Sequence, residues 1–222
     1  MAQAATAPIM QFPDARLIIF AKAPVAGQAK TRLAPALGEV GAAALHKRLV
    51  MHTLTTVTRA ALCPVQLWCA PDTTHPFFAA CQHSFPLTLH AQQGHDLGER
   101  MAHAIESNLK QGFNSAIIGT DCPALSAADF TQAFTLLQGG HHVVLAPAMD
   151  GGYVLIGLTR FSPVLFSGIR WGSDEVLAAT RERVAQLQWP LAELKTFQDI
   201  DREEDLAEAE RLLGQIERPR LT

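Results

Sequence analysis

A basic loop, a lone strand-end aspartate, an Asp-Gly-Gly turn and a late run of acids are the parts of this 222-residue chain whose residue types could do chemistry. The basic loop reads KAPVAGQAKTRL over residues 22–33 and offers Lys22, Lys30 and Arg32 around Gly27, which permits close backbone approach. Such a loop suits a pyrophosphate. Its spacing matches neither GxxxxGK[ST] nor GxGxxG, and a solvated basic loop is the competing reading. The second loop, GTDCP at 119–123, ends an apolar stretch on Asp121. One carboxylate there could serve a divalent cation, Mg²⁺ or Mn²⁺, shared with substrate phosphates, or it could simply form a turn.

The third loop is Asp150-Gly151-Gly152-Tyr153. Two glycines beside an acid let backbone lie against a ligand and leave Asp150 to bind a hydroxyl or act as a base; they also make an ordinary hairpin turn. The fourth is DIDREEDL at 199–206, where an extended chain would send Asp199 and Asp201 to one side. Asp201 could complete a metal site with Asp121. Glu203, Glu204 and Asp205 fit an acidic helix start better. Trp171 and Asp174 could shape an acceptor pocket with Gly151 and Gly152, although Trp171 as a core plug and Ser173 as a helix N-cap fit the same stretch.

These loops need a frame, and the hydrophobic pattern supplies one. Short apolar runs at 16–21, 65–69, 87–90, 115–119, 143–146 and 153–158 predict strands. Helical spacing predicts helices over 39–62, 73–84, from Leu97 to Leu109 behind Asp96, after Ser126 to Gly139-Gly140, from Ser173 to about Gln186, and through Leu206, Ala209, Leu213 and Ile216. Leu191 to Phe197 is strand-like. Strands alternating with helices predict a parallel sheet covered on both faces, with room for one antiparallel strand among the later elements. In such sheets ligands sit beyond the carboxyl ends of the strands, which is where the chemically loaded loops fall.

Composition narrows the function further. With 48% hydrophobic and 18% charged residues the chain can bury one large core, so disorder is excluded for most of it. A net charge of -3 without any run of Lys or Arg argues against nucleic acid as a partner. No apolar stretch approaches the roughly 18 residues needed to span a bilayer, and MAQAATAPIM lacks the features of a signal peptide, so a cytoplasmic location is expected. Cys63, Cys69, Cys81 and Cys122 are spaced for neither a zinc knuckle nor a disulfide scaffold and are expected to be reduced thiols near the core.

Together KAPVAGQAKTRL, GHDLGERM, GTDCP, DGGYVLIGL and DIDREEDL resemble the bacterial selenodomain-associated transferases, from about Arg16 to Leu213. KTRL and DGG are also similar to elements of the 2-phospho-L-lactate guanylyltransferases. The resemblance implies the nucleotide-diphospho-sugar transferase (GT-A) fold, a three-layer α/β/α sandwich on a mostly parallel sheet. Residues 1–15 would be a loose N-terminus, 16–216 one transferase domain and 217–222 a tail.

By the same resemblance Asp121 and Asp201 hold a metal, while Lys22, Gly27, Lys30 and Arg32, with Gly98 and Arg100, bind the nucleotide. Arg202-Glu203 replaces the commoner ending of the late acidic motif, GTDCP replaces a DxD triplet, and no GGxGxR loop is present. The implied function is a metal-dependent transferase with Lys30, Asp121 and Asp150 as its catalytic residues. Its substrates would be an NTP or NDP-sugar and a small-molecule acceptor. Glycosyl transfer from an NDP-sugar, nucleotidyl transfer from an NTP to a phosphorylated small molecule, and a nucleotide-binding module without turnover all stay open.

Overall fold

The structure is a computed structural model that describes residues 10–215. Residues 1–9 and 216–222, which include most of the expected N-terminal segment, Ile216 and the expected tail, lie outside the described residues. The chain runs β1 (Ala15–Lys22), α1 (Ala34–Ala60), β2 (Val65–Ala70), α2 (Pro76–Ser84), β3 (Leu87–Ala91), α3 (Leu97–Leu109), β4 (Asn114–Ile118) and α4 (Ala127–Gln138). It continues through β5 (Val143–Pro147), β6 (Tyr153–Leu158), α5 (Val176–Gln186), β7 (Leu191–Glu193) and α6 (Leu206–Leu213). Among these residues no helix is long and apolar enough to cross a membrane.

The seven strands form one sheet in the order β3-β2-β1-β4-β6-β5-β7. β6 is the antiparallel member, inserted between β4 and β5 by a tight hairpin from β5 (Leu145 opposite Ile156, Ile118 opposite Leu155). The expected parallel sheet with one antiparallel strand is therefore observed. Side-chain alternation along β1 divides the core into two layers. Leu17, Ile19 and Ala21 pack with Val50 and Leu54 of α1, Phe78 of α2 and Phe130 and Phe134 of α4. Ile18 faces the opposite layer with Met101 and Ile105 of α3 and Leu177 and Val184 of α5. This is the three-layer α/β/α sandwich expected from the sequence.

Local chemistry accounts for the helix boundaries. Ser126 and Asp129 close a reciprocal capping box on α4, and Asp96 accepts the Glu99 N–H at the start of α3. Gly38, at φ 69° and ψ 163°, breaks α1, so its continuous part begins near Glu39. The expected Ser173 cap is not observed: α5 starts at Val176, and Ser173 Oγ donates to the Arg170 carbonyl at 2.8 Å within a pair of turns. α6 packs on the first half of α1, where Leu33, Leu45, Leu49, Ile200, Leu206 and Ala209 form a third, smaller cluster. That cluster anchors the chain on both sides of the late acidic run.

Candidate active site

β1, β4 and β5 run in one direction and β6 in the other, so the segments after β1 and β4 and the β5–β6 hairpin emerge at the same edge of the sheet. The late acidic run reaches this edge by backbone pairing. Phe197 N–H donates to the Pro147 carbonyl at 2.9 Å, Met149 N–H to Phe197 at 2.9 Å, and Ile200 N–H to the Asp121 carbonyl at 2.7 Å. Ile200 is fully buried, which turns Asp199 and Asp201 on either side of it toward the cleft. All four loops singled out by residue type thus meet in one place.

Lys30 sits at the junction. Its backbone is left-handed at φ 52° and ψ 44°, a conformation uncommon for a residue with a Cβ, and only 4% of its side chain is exposed. The ammonium lies 3.1 Å from Oδ2 of Asp121 and 3.6 Å from Oδ1 of Asp201, and it donates to the Ile200 carbonyl. Arg32, 62% exposed, pairs with the other oxygen of Asp201. Lys30 is therefore engaged by the two expected metal ligands, and Arg32 is more open to the groove than Lys30.

Asp199, which alternation sends to the same side as Asp201 and to which the sequence reading gives no role, borders the cleft. Burial and then the neighbouring charges of Asp150 and Asp121 hold its carboxyl above the usual range, so negative charge here is under-compensated. Among the described residues no group of three or more His, Cys, Asp or Glu is arranged to enclose a metal ion. The donor set that is present, carboxylates on two facing loops beside a basic groove, fits a hard divalent cation completed by substrate phosphate oxygens.

The cleft has three connecting parts. The first, about 460 Å³, is the groove that follows β1, with Lys22, Gln28, Arg32, His46, Gln92 and Arg100 on its walls. Arg100 is oriented by donation from Nε to the Gly94 carbonyl at 3.0 Å. His46 places Nε2 3.0 Å from the Lys22 carbonyl, and burial pushes its pKa down, favouring neutral imidazole as the donor. Gly27 (φ 75°) turns the loop without lining the groove.

The second part is a recess of about 260 Å³ between α3, β6 and the loop before α5. Phe20, Leu97, Met101, Val154 and Trp171 form apolar walls, and Asp121, Asp150 and Asp199 stand along it. The third, about 610 Å³, is a shallow basin with Arg32, Arg170, Arg202, Asp150, Asp174 and Asp201. Asp150 belongs to both, and its Oδ1 accepts the Gly152 N–H at 2.8 Å.

The Asp-Gly-Gly stretch is a hairpin turn as well as a site wall: Ala148 N–H donates to the Gly152 carbonyl at 2.9 Å. Gly151, at φ 87°, abuts Asp174, and a Cβ there would stand 2.2 Å from the Asp174 carbonyl oxygen. Gly152 lines the recess and Gly151 braces it. Gly98 is placed differently from the expected nucleotide contact. It is buried under Trp171, where a Cβ would meet the indole Nε1 at 2.4 Å, and it does not line the groove. Leu97 and Arg100 on either side of it do.

The chain matches the family described as "Uncharacterized protein conserved in bacteria (DUF2064)" over residues 53–173, a little over half its length. No curated protein matches it. Among solved structures it is similar to a candidate nucleotide-diphospho-sugar transferase from Desulfovibrio desulfuricans G20, with 27% identity and a TM-score of 0.78 over 91% of this chain and 97% of that one. The fold is shared with CMP:2-keto-3-deoxy-manno-octonic acid synthetase complexed with CTP (10% identity, TM-score 0.58, 91% and 99% covered). It is shared too with 4-diphosphocytidyl-2C-methyl-D-erythritol synthase from Anaerococcus prevotii DSM 20548 (11% identity, TM-score 0.60, 91% and 97% covered).

Proposed function

The chain belongs to the DUF2064 family, and from that premise we propose that it is a nucleotide-dependent transferase that moves a glycosyl group from an NDP-sugar to a hydroxyl acceptor. The observation that carries this reading is the meeting, at Asp121, of a cation-lined groove with a recess whose charged groups are all carboxylates. Diphosphate belongs with Lys22, Arg32 and Arg100, where charge-assisted hydrogen bonds hold phosphate oxygens. The acceptor belongs in the recess, where a carboxylate can take its proton.

The bond between sugar C1 and the diphosphate oxygen breaks with its electron pair leaving on the nucleoside diphosphate, and a bond from C1 to the acceptor oxygen forms. The hydroxyl proton passes to Asp150, whose Gly152 hydrogen bond fixes one carboxylate oxygen. Arg32 and Arg100 bind the leaving diphosphate, and Lys30 keeps Asp121 and Asp201 at a fixed separation. A divalent cation held by Asp121 and Asp201, with Asp199 beside them, would supply stabilisation of the charge that develops on the diphosphate.

Nucleotidyl transfer from an NTP to a phosphorylated acceptor is the second reading, and Arg170 and Arg202 in the outer basin favour it. A phosphate nucleophile is already ionised and would need no base. Thermal-shift titration of wild-type and Asp121→Ala protein with NTPs and NDP-sugars, with and without Mg²⁺ or Mn²⁺, separates the readings because a ligand of the native state raises its melting temperature. Stabilisation by NDP-sugars and metal together supports glycosyl transfer, and by NTPs alone nucleotidyl transfer. No stabilisation by either at saturating concentration defeats both.

A further inference from the structure

Resting on the glycosyl-transfer reading, we infer that the acceptor is a neutral alcohol on a compact apolar body, a single aryl or alicyclic ring system, and neither a polyhydroxylated sugar nor a phosphorylated metabolite. Three observations lead there. The recess beside Asp150 has no lysine or arginine among its lining residues, while Asp121, Asp150 and Asp199 all border it. Lys30 is already paired with Asp121 behind the wall, so an anionic acceptor would meet Asp150 and Asp199 with no lysine or arginine on the recess surface, a repulsion that grows as water is excluded.

Most of the rest of the lining is hydrocarbon or aromatic. Phe20, Leu97, Met101, Val154, Ile156 and Trp171 make most of the wall of a space of about 260 Å³, and beside the three carboxylates only Ser173 and Tyr153 bring side-chain hydroxyls for the several hydroxyls of a sugar. Unpaired hydroxyls buried there would each lose their water without replacement. Two exposed apolar side chains also stand near the mouth. Of the four large hydrophobic side chains left exposed among the described residues, Leu97 (44%) stands at the junction of groove and recess, and Met149 (73%) at the outer basin. Concave apolar walls with a few convergent polar groups are the usual form of a site for a small organic ligand. The hydroxyl of such a ligand points toward Asp150, and its ring lies against Met101, Val154 and Trp171.

The inference is tested by calorimetric titration of the full chain. It is first saturated with whichever of UDP, GDP, ADP or CDP binds in the presence of Mg²⁺, and then titrated with 2-phenylethanol, glucose or glycerol 3-phosphate. We expect 2-phenylethanol to bind at least roughly tenfold more tightly than either polar probe, the range a hydrophobic pocket contact provides. Val154→Thr, a half-buried position on the recess and absent from the groove, should weaken 2-phenylethanol several-fold and leave the nucleoside diphosphate affinity unchanged. Met101→Gln, checked for an unchanged melting temperature, should do the same.

Binding of the diphosphate with equal or tighter binding of glucose or glycerol 3-phosphate, or with no binding of 2-phenylethanol, overturns this inference alone. Failure of every diphosphate to bind overturns the transferase reading and the inference with it.

Discussion

The ammonium of Lys30 lies 3.1 Å from Oδ2 of Asp121, although the two residues come from loops at the ends of different strands. The same nitrogen is 3.6 Å from Asp201, so one nearly buried cation ties together three loops that share no local sequence. Charge balance at this edge of the sheet depends on it. Asp121, Asp150, Asp199 and Asp201 all face the connected cleft, and Asp150 and Asp121 help to raise the Asp199 carboxyl above its usual range.

Lys30→Met should therefore destabilise the fold. A fully buried pair broken on one side costs about 3–5 kcal/mol, but Asp121 is 47% exposed and recovers part of its hydration. A loss of about 1–2 kcal/mol is expected in urea unfolding at neutral pH. Added Mg²⁺ should restore more stability to Lys30→Met than to wild type, because a cation replaces the missing charge. An unchanged unfolding midpoint would show that Lys30 makes no net contribution.

Metal removal should act on turnover and leave the fold intact. Chelation of wild-type protein is expected to abolish transfer, with recovery on adding Mg²⁺ or Mn²⁺, whereas Asp121→Ala should stay inactive at any metal concentration. Both should keep a native circular dichroism spectrum, since removing one acid relieves repulsion at Asp199 as it breaks a contact to Lys30. Turnover by fully chelated enzyme would sink the metal assignment.

Gly98→Ala reverses the usual helix rule. Alanine in a helix interior is normally better than glycine by about 0.8–1.0 kcal/mol. Here the new methyl would stand 2.4 Å from the Trp171 Nε1 and 2.6 Å from the Phe166 carbonyl oxygen. Overpacking should outweigh propensity and give a net loss of about 1–3 kcal/mol, with a shift in tryptophan emission as the indole is displaced. Greater stability than wild type would show that the wall of the recess yields easily.

The same glycine marks where sequence reasoning reached its limit. Among the described residues the hydrophobic pattern located the seven strands and six α-helices because each buries apolar side chains locally, and the break at Gly38 even places the continuous part of α1 where the apolar spacing begins. What spacing could not reveal was contact across the chain. The family resemblance of GHDLGERM implies Gly98 as a nucleotide contact, yet its lack of a side chain serves Trp171, far along the sequence. Lys30 reads as a phosphate ligand because it belongs to the basic loop, and its pairing with Asp201 bridges some 170 positions. Ser173 looks like a helix cap until the turn before α5 packs on Gly151 and delays the helix to Val176. Alternation pairs Asp199 with Asp201, but only the buried Ile200 between them tells that this side is the cleft.

Thiol chemistry offers an independent check of the core. Cys63, Cys69, Cys81 and Cys122 are all buried and unpaired. Burial pushes Cys63, Cys69 and Cys122 up to about 12 and Cys81 to about 11, which leaves almost no thiolate at neutral pH. An aromatic disulfide reagent should label none of them in native protein and all four in denaturant. Fast labelling of Cys122, which borders the recess, would mean that this wall opens in solution.

Acid sensitivity should focus on Asp205. Burial alone would raise its carboxyl, but the N–H groups of Asp201 and Arg202 and the side-chain amide of Gln198 donate to it at 2.9, 2.7 and 2.8 Å. These bonds outweigh desolvation and hold it below the usual carboxylate range. Because the folded state then binds the proton more weakly than the unfolded chain, the contribution is complete above the unfolded value of about 3.9. It is lost as pH falls through the lower, folded value. Asp205→Asn, which keeps the shape but not the charge-assisted bonds, should cost about 1 kcal/mol at pH 7, as the loss of a helix-start acceptor does. The difference between wild type and variant should narrow in urea unfolding below about pH 4. A gap that stays constant to pH 3 would mean that Asp205 is not held ionised by its donors, and that segment 201–205 is positioned by α6 packing alone.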